Sequence, residues 1–159
     1  MTVLDFSPTS ALSQNVFNIT QNGAPRGQID RGWTGTRATI TIGGASYKAW
    51  WEGILSATYY LGANGSRVAS AQRASIFHRR FIVRAGARTY TLAVTNLLAL
   101  AFELAENGTK VGTIVRYVTR EMQAELPDDL PLEVQAFLIW LAELLITGWA
   151  FPAIIASDG

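Results

Sequence analysis

The sequence predicts a mainly β protein with one α-helix near its C-terminal end, built from antiparallel hairpins in three repeats of about 43 residues. Three observations predict this fold class. Asn-Gly pairs recur at spacings of 42 and 43 residues. A second set of glycine-containing turns lies between these pairs. A long stretch that is apolar on every side follows the last predicted strand.

The Asn-Gly pairs mark the first hairpin of each repeat. Both residues of such a pair tolerate the positive φ angles of a type I′ turn, which makes Asn-Gly a strong hairpin signal between alternating apolar residues. An aromatic residue lies five positions before each Asn, and a small residue lies five positions after it. The six turn residues assigned a structural role are Asn22, Gly23, Asn64, Gly65, Asn107 and Gly108.

A second hairpin follows in the first two repeats, so that each of them contains four strands. Its strands are residues 38–42 and 45–51 around Gly43-Gly44, and residues 81–84 and 89–94 around Ala85-Gly86. In the third repeat residues 121–126 predict one more strand. Pro127 follows where the glycine turn is expected, so the next element is predicted to be a helix instead of a fourth strand.

Residues 132–149 predict that helix, with Asp129 as its N-cap and Pro131 in its first turn. A helix that is apolar on all sides is buried in protein or in a membrane. Glu143 would lie near the centre of a bilayer, which is costly, so we predict burial inside the protein. Glu143 is then expected to reach solvent or meet an arginine. A C-terminal membrane anchor is the weaker alternative. The helix residues assigned to the core are Phe137, Trp140, Leu141 and Leu144.

The three Asn-Gly hairpins and residues 130–141 after the strands resemble the tubby C-terminal-like superfamily, which includes phospholipid scramblases. Within this superfamily, the sequence resembles the small LURP-one-related proteins most. The resemblance implies a closed antiparallel barrel of about 10–12 strands that encloses the helix, and closure would remove every sheet edge. We therefore expect an N-terminal extension (1–13), one barrel domain with the helix (14–151) and a tail (152–159).

Charge is distributed unevenly along the chain. Residues 1–120 have a balance of +8 and residues 121–159 a balance of −7, so either the two parts attract each other within one fold or the basic part binds a surface. The net charge of +1 argues against a nucleic-acid partner. With no cysteine, one histidine and no catalytic motif, we expect a non-enzymatic protein without a metal or another cofactor.

A basic cluster is the candidate ligand-binding site. Its members are Arg73, His78, Arg79, Arg80, Arg84 and Arg88. Arginine binds phosphate with two parallel hydrogen bonds, so the cluster predicts binding of anionic phospholipid headgroups or another phosphorylated ligand. The resemblance adds to this expectation, because tubby-like domains include phosphoinositide binders. A solvated sheet face, or a set of partners for the acidic C-terminal part, is the alternative interpretation.

A protein contact is the second class of function. Trp50 and Trp51 are adjacent on a predicted strand, so one of them points outward, and together with Trp33 it could form a contact patch for another protein. In either class we expect a cytoplasmic protein, either free or peripheral at an anionic membrane surface. The sequence predicts no oligomeric state.

Overall fold

The computed structural model describes residues 1–9, 15–32, 36–52, 58–75, 78–96 and 100–147, apart from the side chains of Ser75, His78 and Thr147. It contains twelve strands and one helix within these residues. The strands are β1 (Thr2–Pro8), β2 (Val16–Gln21), β3 (Ala24–Asp30), β4 (Arg37–Ile42), β5 (Ala45–Glu52), β6 (Thr58–Ala63), β7 (Ser66–Ser75), β8 (His78–Ala85), β9 (Arg88–Val94), β10 (Ala101–Glu106), β11 (Thr109–Arg116) and β12 (Met122–Leu126), and the helix is α1 (Leu132–Thr147).

All twelve strands form one closed antiparallel barrel, which confirms the predicted fold class. Each strand from β2 to β12 pairs with its neighbours in the chain, and β1 closes the barrel between β12 and β2. Inward side chains alternate with outward ones along each strand, so the inward positions of the whole wall contribute to a single hydrophobic core.

The predicted N-terminal extension of residues 1–13 is wrong, because residues 2–8 are the first strand of the barrel. Leu4 and Phe6 point inward and are at most 1% exposed. In the barrel, β1 occupies the place of the fourth strand of the third repeat, which the chain after β12 does not supply. The local sequence hides this strand because its partner Ala124 lies far along the chain from Leu4, so no hairpin turn marks the pair.

The Asn-Gly turns are alike in the three repeats. Their Asn residues have φ between 52° and 54°, and the following Gly residues have φ of 79° or 80°. In each Asn-Gly hairpin the pairing register of the two strands shifts by one residue shortly before the turn. The last pair before the shift contains the small residue that recurs five positions after the Asn. At Gly27 a Cβ atom would overlap the Thr41 carbonyl oxygen, so the neighbouring strand requires glycine at this position.

The turn between β8 and β9 lies one residue later than predicted. Ala85 pairs with Arg88, so the turn residues are Gly86 and Ala87, and Gly86 has a φ of 63°. Glycine at the first central position is typical of a type II′ turn, whereas Gly43-Gly44 has positive φ at both positions, as type I′ requires.

Helix α1 fills the lumen of the barrel. Every residue from Val134 to Leu145 is at most 3% exposed, including those that lie on opposite sides of the helix. The Trp140 ring lies 5.9 Å from the ring of Phe137 on the helix and 5.9 Å from that of Tyr59 on β6. Phe137, Trp140, Leu141 and Leu144 are all buried among inward strand residues.

The start of α1 differs from the prediction. The helix begins at Leu132, and the backbone N–H groups of Val134 and Gln135 donate to the Pro131 carbonyl oxygen. Asp129 is therefore not the N-cap, and its carboxylate accepts a hydrogen bond from Arg88 instead. The Gln135 side chain anchors this turn by donating to the Leu130 carbonyl oxygen at 2.8 Å. Residues 148–149 of the predicted helix and the predicted tail 152–159 lie outside the described residues.

The barrel has two ends of different construction. At the turn end, the even-numbered strands end in the five tight turns described above or, after β12, in the link to α1. At the exit end, the odd-numbered strands and the helix end. Sixteen helical residues rise about 24 Å, about the length of a seven-residue strand, so α1 spans the barrel from the turn end to the exit end.

Candidate functional site

The structure divides the predicted basic cluster between the two ends of the barrel. Arg73 lies near the end of β7 and Arg79 and Arg80 lie near the start of β8, all at the exit end. Arg88 begins β9 at the turn end. Arg80 pairs with Ala93, so five residues of strand, roughly 16 Å, separate its level from that of Arg88.

The other two predicted members of the cluster add little to a common site. Arg84 is exposed on the outer wall, and its partner in the register is Thr89, close to the turn end. His78 is the first residue of β8, and its side chain lies outside the described residues.

Arg88 is bonded to two carboxylates at the turn end. Its Nε and Nη2 donate to the Glu106 carboxylate at 2.8 and 2.7 Å, and its Nη1 donates to Asp129. The hydrogen bond from Arg88 lowers the pKa of Glu106 below its ordinary value, and the bonds to Glu106 and Asp129 raise the pKa of Arg88. The N-terminal ammonium group donates to Asp128 at 2.8 Å. At this end the acidic C-terminal part therefore binds basic groups of the same fold.

The exit end carries exposed arginines and exposed apolar side chains. Arg79 and Arg80 are exposed and form no ion pair with any residue that the structure describes. Tyr117 and Val118, in the connection between β11 and β12, are 48% and 92% exposed. An open groove of about 520 Å³ begins at Arg79 and continues along Val94, Thr95 and Asn96. Arg79, Arg80, Tyr117 and Val118 are referred to below as the exit-end surface.

Arg73 belongs to the barrel wall more than to this surface. It continues the inward row of Ala69 and Ala71 on β7 and is half-buried. Burial lowers the pKa of Arg73, while the nearby Tyr59 phenol raises it. The pKa of Tyr59 is itself raised, chiefly because its ring is buried beside the helix.

Sequence reasoning did not identify a second basic group at the exit end. Arg31 faces the buried Glu143 of α1, and Arg116 and Arg120 are electrostatic neighbours of Arg31. These three residues are referred to below as the mouth arginines. Arg31 Nη1 is 3.5 Å from Glu143 Oε2, and the two side chains are 14% and 4% exposed. The expectation that Glu143 meets an arginine is thereby confirmed.

Two of the mouth arginines, Arg31 and Arg120, share one supporting ring. The guanidinium carbons of Arg31 and Arg120 lie 5.4 and 5.6 Å from the centre of the Phe17 ring. Burial lowers the pKa of Arg31, Glu143 raises it, and the charges of Arg120 and Arg116 lower it further, so the three arginines are electrostatic neighbours. The sequence contained one signal for two of them: Arg31 and Arg116 each lie two positions after an inward isoleucine.

The outer wall carries part of the aromatic patch that was predicted for a protein contact. Trp50 points outward, with its ring 5.6 Å from that of Tyr60, and the Arg67 guanidinium lies 3.9 Å from the Tyr60 ring centre. Trp51 packs against the core. An open groove of about 540 Å³ runs past Trp50. Trp33 lies outside the described residues.

Over the part of the chain that the structure describes, no helix is both long and apolar enough to cross a membrane. The same residues contain no group of three or more carboxylate or imidazole side chains placed to hold a metal ion. No protein-family model matches the chain, and no curated protein or solved structure is significantly similar to it.

Proposed function

We propose that the chain is a tubby-like, non-enzymatic binding module whose exit-end surface docks on anionic phospholipid at the cytoplasmic face of a membrane. The observation that supports this proposal is the difference between the two ends of the barrel. At the turn end, Arg88 is bonded to Glu106 and Asp129. At the exit end, exposed Arg79 and Arg80 are combined with exposed Tyr117 and Val118.

The energetics favour reversible, peripheral binding. A basic residue close to an anionic membrane contributes about 1 kcal/mol, and full burial of an aliphatic side chain contributes about 1.5–3 kcal/mol. Val118 is 92% exposed in the free protein, so nearly all of its apolar surface is available for insertion. Tyr117 combines an apolar ring with a polar hydroxyl, which suits the headgroup region. Two arginines and two such side chains give about 5–8 kcal/mol, equivalent to a dissociation constant between about 1 μM and a few tenths of a millimolar.

A vesicle flotation assay with the full chain tests the proposal. The protein is expected to bind vesicles made of equal parts phosphatidylcholine and phosphatidylserine, and to ignore phosphatidylcholine alone. Binding is expected to weaken as salt rises, because exposed charges are screened over about 8 Å at physiological ionic strength. Loss of binding is expected for Arg79→Glu with Arg80→Glu, and separately for Val118→Asp.

The matched control is Arg26→Glu with Arg84→Glu, which changes the net charge equally on exposed wall positions near the turn end. These two substitutions are expected to leave most of the binding intact. Equal loss in both double variants would mean that only net charge matters, which would refute the docking surface. A parent protein that ignores anionic vesicles would refute the membrane proposal altogether.

A protein contact is the second candidate function, and the outward Trp50–Tyr60 pair beside its groove favours it. It uses the wall of the barrel instead of its exit end. Trp50→Ala is expected to leave vesicle binding unchanged, so the two candidate functions are separated by one variant.

A further inference from the structure

One wall of the barrel carries a row of cations beside the outward Trp50. Lys48 on β5, Gly62 on β6 and Arg67 on β7 are successive partners in the register and are referred to below as the basic row. Lys48 and Arg67 are exposed, and two strand spacings, about 9–10 Å, separate their backbones. Gly62 leaves a gap between them, with the Trp50 ring 3.0 Å from where its Cβ atom would lie. An open groove of about 560 Å³ follows the row.

Both cations of the basic row have hydrogen-bonding capacity beyond their present partners. The Lys48 ammonium group donates to Thr39 at 2.8 Å, and Arg67 Nη2 donates to Glu52 at 3.3 Å. Both side chains of the Arg67–Glu52 ion pair are more than half exposed, so water competes with this bond. An ammonium group has three donors and a guanidinium group has five, so each cation is able to bind a further carboxylate.

The nearly opposite wall carries a row of carboxylates with the same spacing. Glu103 on β10, Thr113 on β11 and Glu125 on β12 are also successive partners in the register, and they are referred to below as the acidic row. The adjacent Leu104 and Ala124 are buried, so the alternation along the strands points both glutamates outward. Neither glutamate forms an ion pair with a residue that the structure describes.

The two rows cannot meet within one barrel, but they match between two barrels. Their central strands, β6 and β11, are separated by four strands on one side of the barrel and by six on the other. When the basic row of one copy lies against the acidic row of another, each cation faces a carboxylate and Gly62 faces Thr113. Ala101 and Val115, which point outward beside the acidic row, are small, so they allow the Trp50 ring to approach that wall closely.

We propose that the basic row of one molecule docks on the acidic row of a second copy of this chain. The contact joins two different surfaces, so every copy that has joined still presents one free row, and rows on nearly opposite walls favour an open chain of barrels over a closed pair. The proposal rests on the wall contact described as the second candidate function, to which it assigns a partner. It does not depend on membrane docking at the exit end.

The test is sedimentation equilibrium of the full chain at increasing protein concentration, in low and in high salt. The average mass of the parent is expected to rise with protein concentration, and to rise less in high salt because exposed charges are screened. Two double variants, Lys48→Glu with Arg67→Glu and Glu103→Lys with Glu125→Lys, are each expected to lower the association constant about tenfold or more. In each of them the two rows carry charge of the same sign, which repels.

The decisive variant combines these four substitutions in one chain. It exchanges the signs of the two rows, so opposite charges face each other again, while the net charge stays at +1. Association is expected to recover most of the loss seen in the double variants, and net charge cannot explain this recovery. If the fourfold variant does not fold, an equimolar mixture of the two double variants tests the same exchange, since each supplies the row that the other lacks.

Arg79→Glu with Arg80→Glu is the matched control, because it changes the net charge as much as Lys48→Glu with Arg67→Glu but lies at the exit end. It is expected to self-associate like the parent while it loses vesicle binding, so self-association and membrane docking are tested separately. Trp50→Ala is expected to weaken self-association and to leave vesicle binding unchanged, because its ring borders the basic row.

The proposal is overturned if the parent stays monomeric at every concentration, or if the exchange of charges restores no association. A labelled polyglutamate peptide identifies a different occupant. Binding of this peptide to a monomeric parent, lost in Lys48→Glu with Arg67→Glu, would keep the wall contact but assign it to another acidic partner. That result would overturn the second copy as the partner without touching the wall contact itself.

Discussion

Removing the largest side chain of the central helix tests whether the helix supports the barrel from inside. Trp140 is fully buried and its ring contacts those of Phe137 and Tyr59. Truncating a buried aromatic residue to alanine destabilises a protein by about 3–5 kcal/mol, the sum of lost transfer free energy and a cavity. Domains are stable by about 5–15 kcal/mol, so Trp140→Ala is expected to remove a large share of the total.

The outer-wall Trp50 is the matched control, since it is the same residue type in a different environment. Its contacts are the Tyr60 ring and a hydrogen bond from Nε1 to Glu52 at 3.1 Å. An aromatic pair of this kind contributes about 0.5–1.5 kcal/mol beyond its buried area, so Trp50→Ala is expected to destabilise much less. Trp140→Phe gives an intermediate case, because the buried Nε1 of Trp140 has no hydrogen-bond partner in the described structure and its loss leaves nothing unsatisfied.

The assay is urea unfolding followed by far-ultraviolet circular dichroism, which does not depend on the tryptophans being replaced. The slope of the free energy of unfolding against urea should stay constant if only stability changes. For a chain of this length each kcal/mol lowers the Tm by about 2–4 °C, so Trp140→Ala is expected to melt at least about 6 °C below the parent. Equal destabilisation by Trp140→Ala and Trp50→Ala would refute a helix enclosed by the barrel.

The remaining predictions concern the mouth, the turn end and the wall. Arg120 has a φ of 72°, which suits glycine, so Arg120→Gly is expected to raise the free energy of unfolding by about 1 kcal/mol or more, measured in urea. The pKa of Glu106 is lowered in the fold, so its contribution is complete above its ordinary value of 4.5 and disappears as the pH falls through the folded value. Acid titrations monitored by circular dichroism should therefore show a shallower loss of stability in Glu106→Gln than in the parent. Gly27→Ala is expected to destabilise more than Gly23→Ser, measured by thermal melts, because only the Gly27 Cβ would collide with a neighbouring carbonyl oxygen. An equal loss in the two glycine variants would show that the close approach of β3 and β4 is unimportant.

Local patterns identified most of the hairpins because turn chemistry acts between neighbouring residues. Asn22-Gly23 and its two equivalents carry the same φ values, and the small residue at position 27 matches the close approach of the Thr41 carbonyl. Because α1 is apolar on all sides, the sequence also indicated that other parts of the protein surround this helix. Strand β1 escaped prediction because its pairing depends on a partner at the other end of the chain.

The basic residues were harder to place, because closeness in the chain was taken as closeness in space. Arg80 and Arg88 are only eight residues apart, but most of a strand lies between them, so they lie at opposite ends of the barrel. The opposite holds for the mouth arginines, which are far apart in the sequence. They meet because β3 and β11 both end at the exit end, a property of the closed topology that no local window contains.

The place of β1 between β2 and β12 also bears on how the chain folds as it is synthesised. Leu4 leaves the ribosome first and pairs with Ala124, which follows 120 residues later. At about 5–20 residues per second this strand waits roughly 6–24 s for its partner, and the helix that fills the lumen emerges later still. Closure therefore waits until the other strands of the barrel have been synthesised, and the high sequence separation of this contact predicts slow folding. Asp5 and Pro8, which weaken the strand signal, also discourage mispairing of the nascent strand with other edges during that interval.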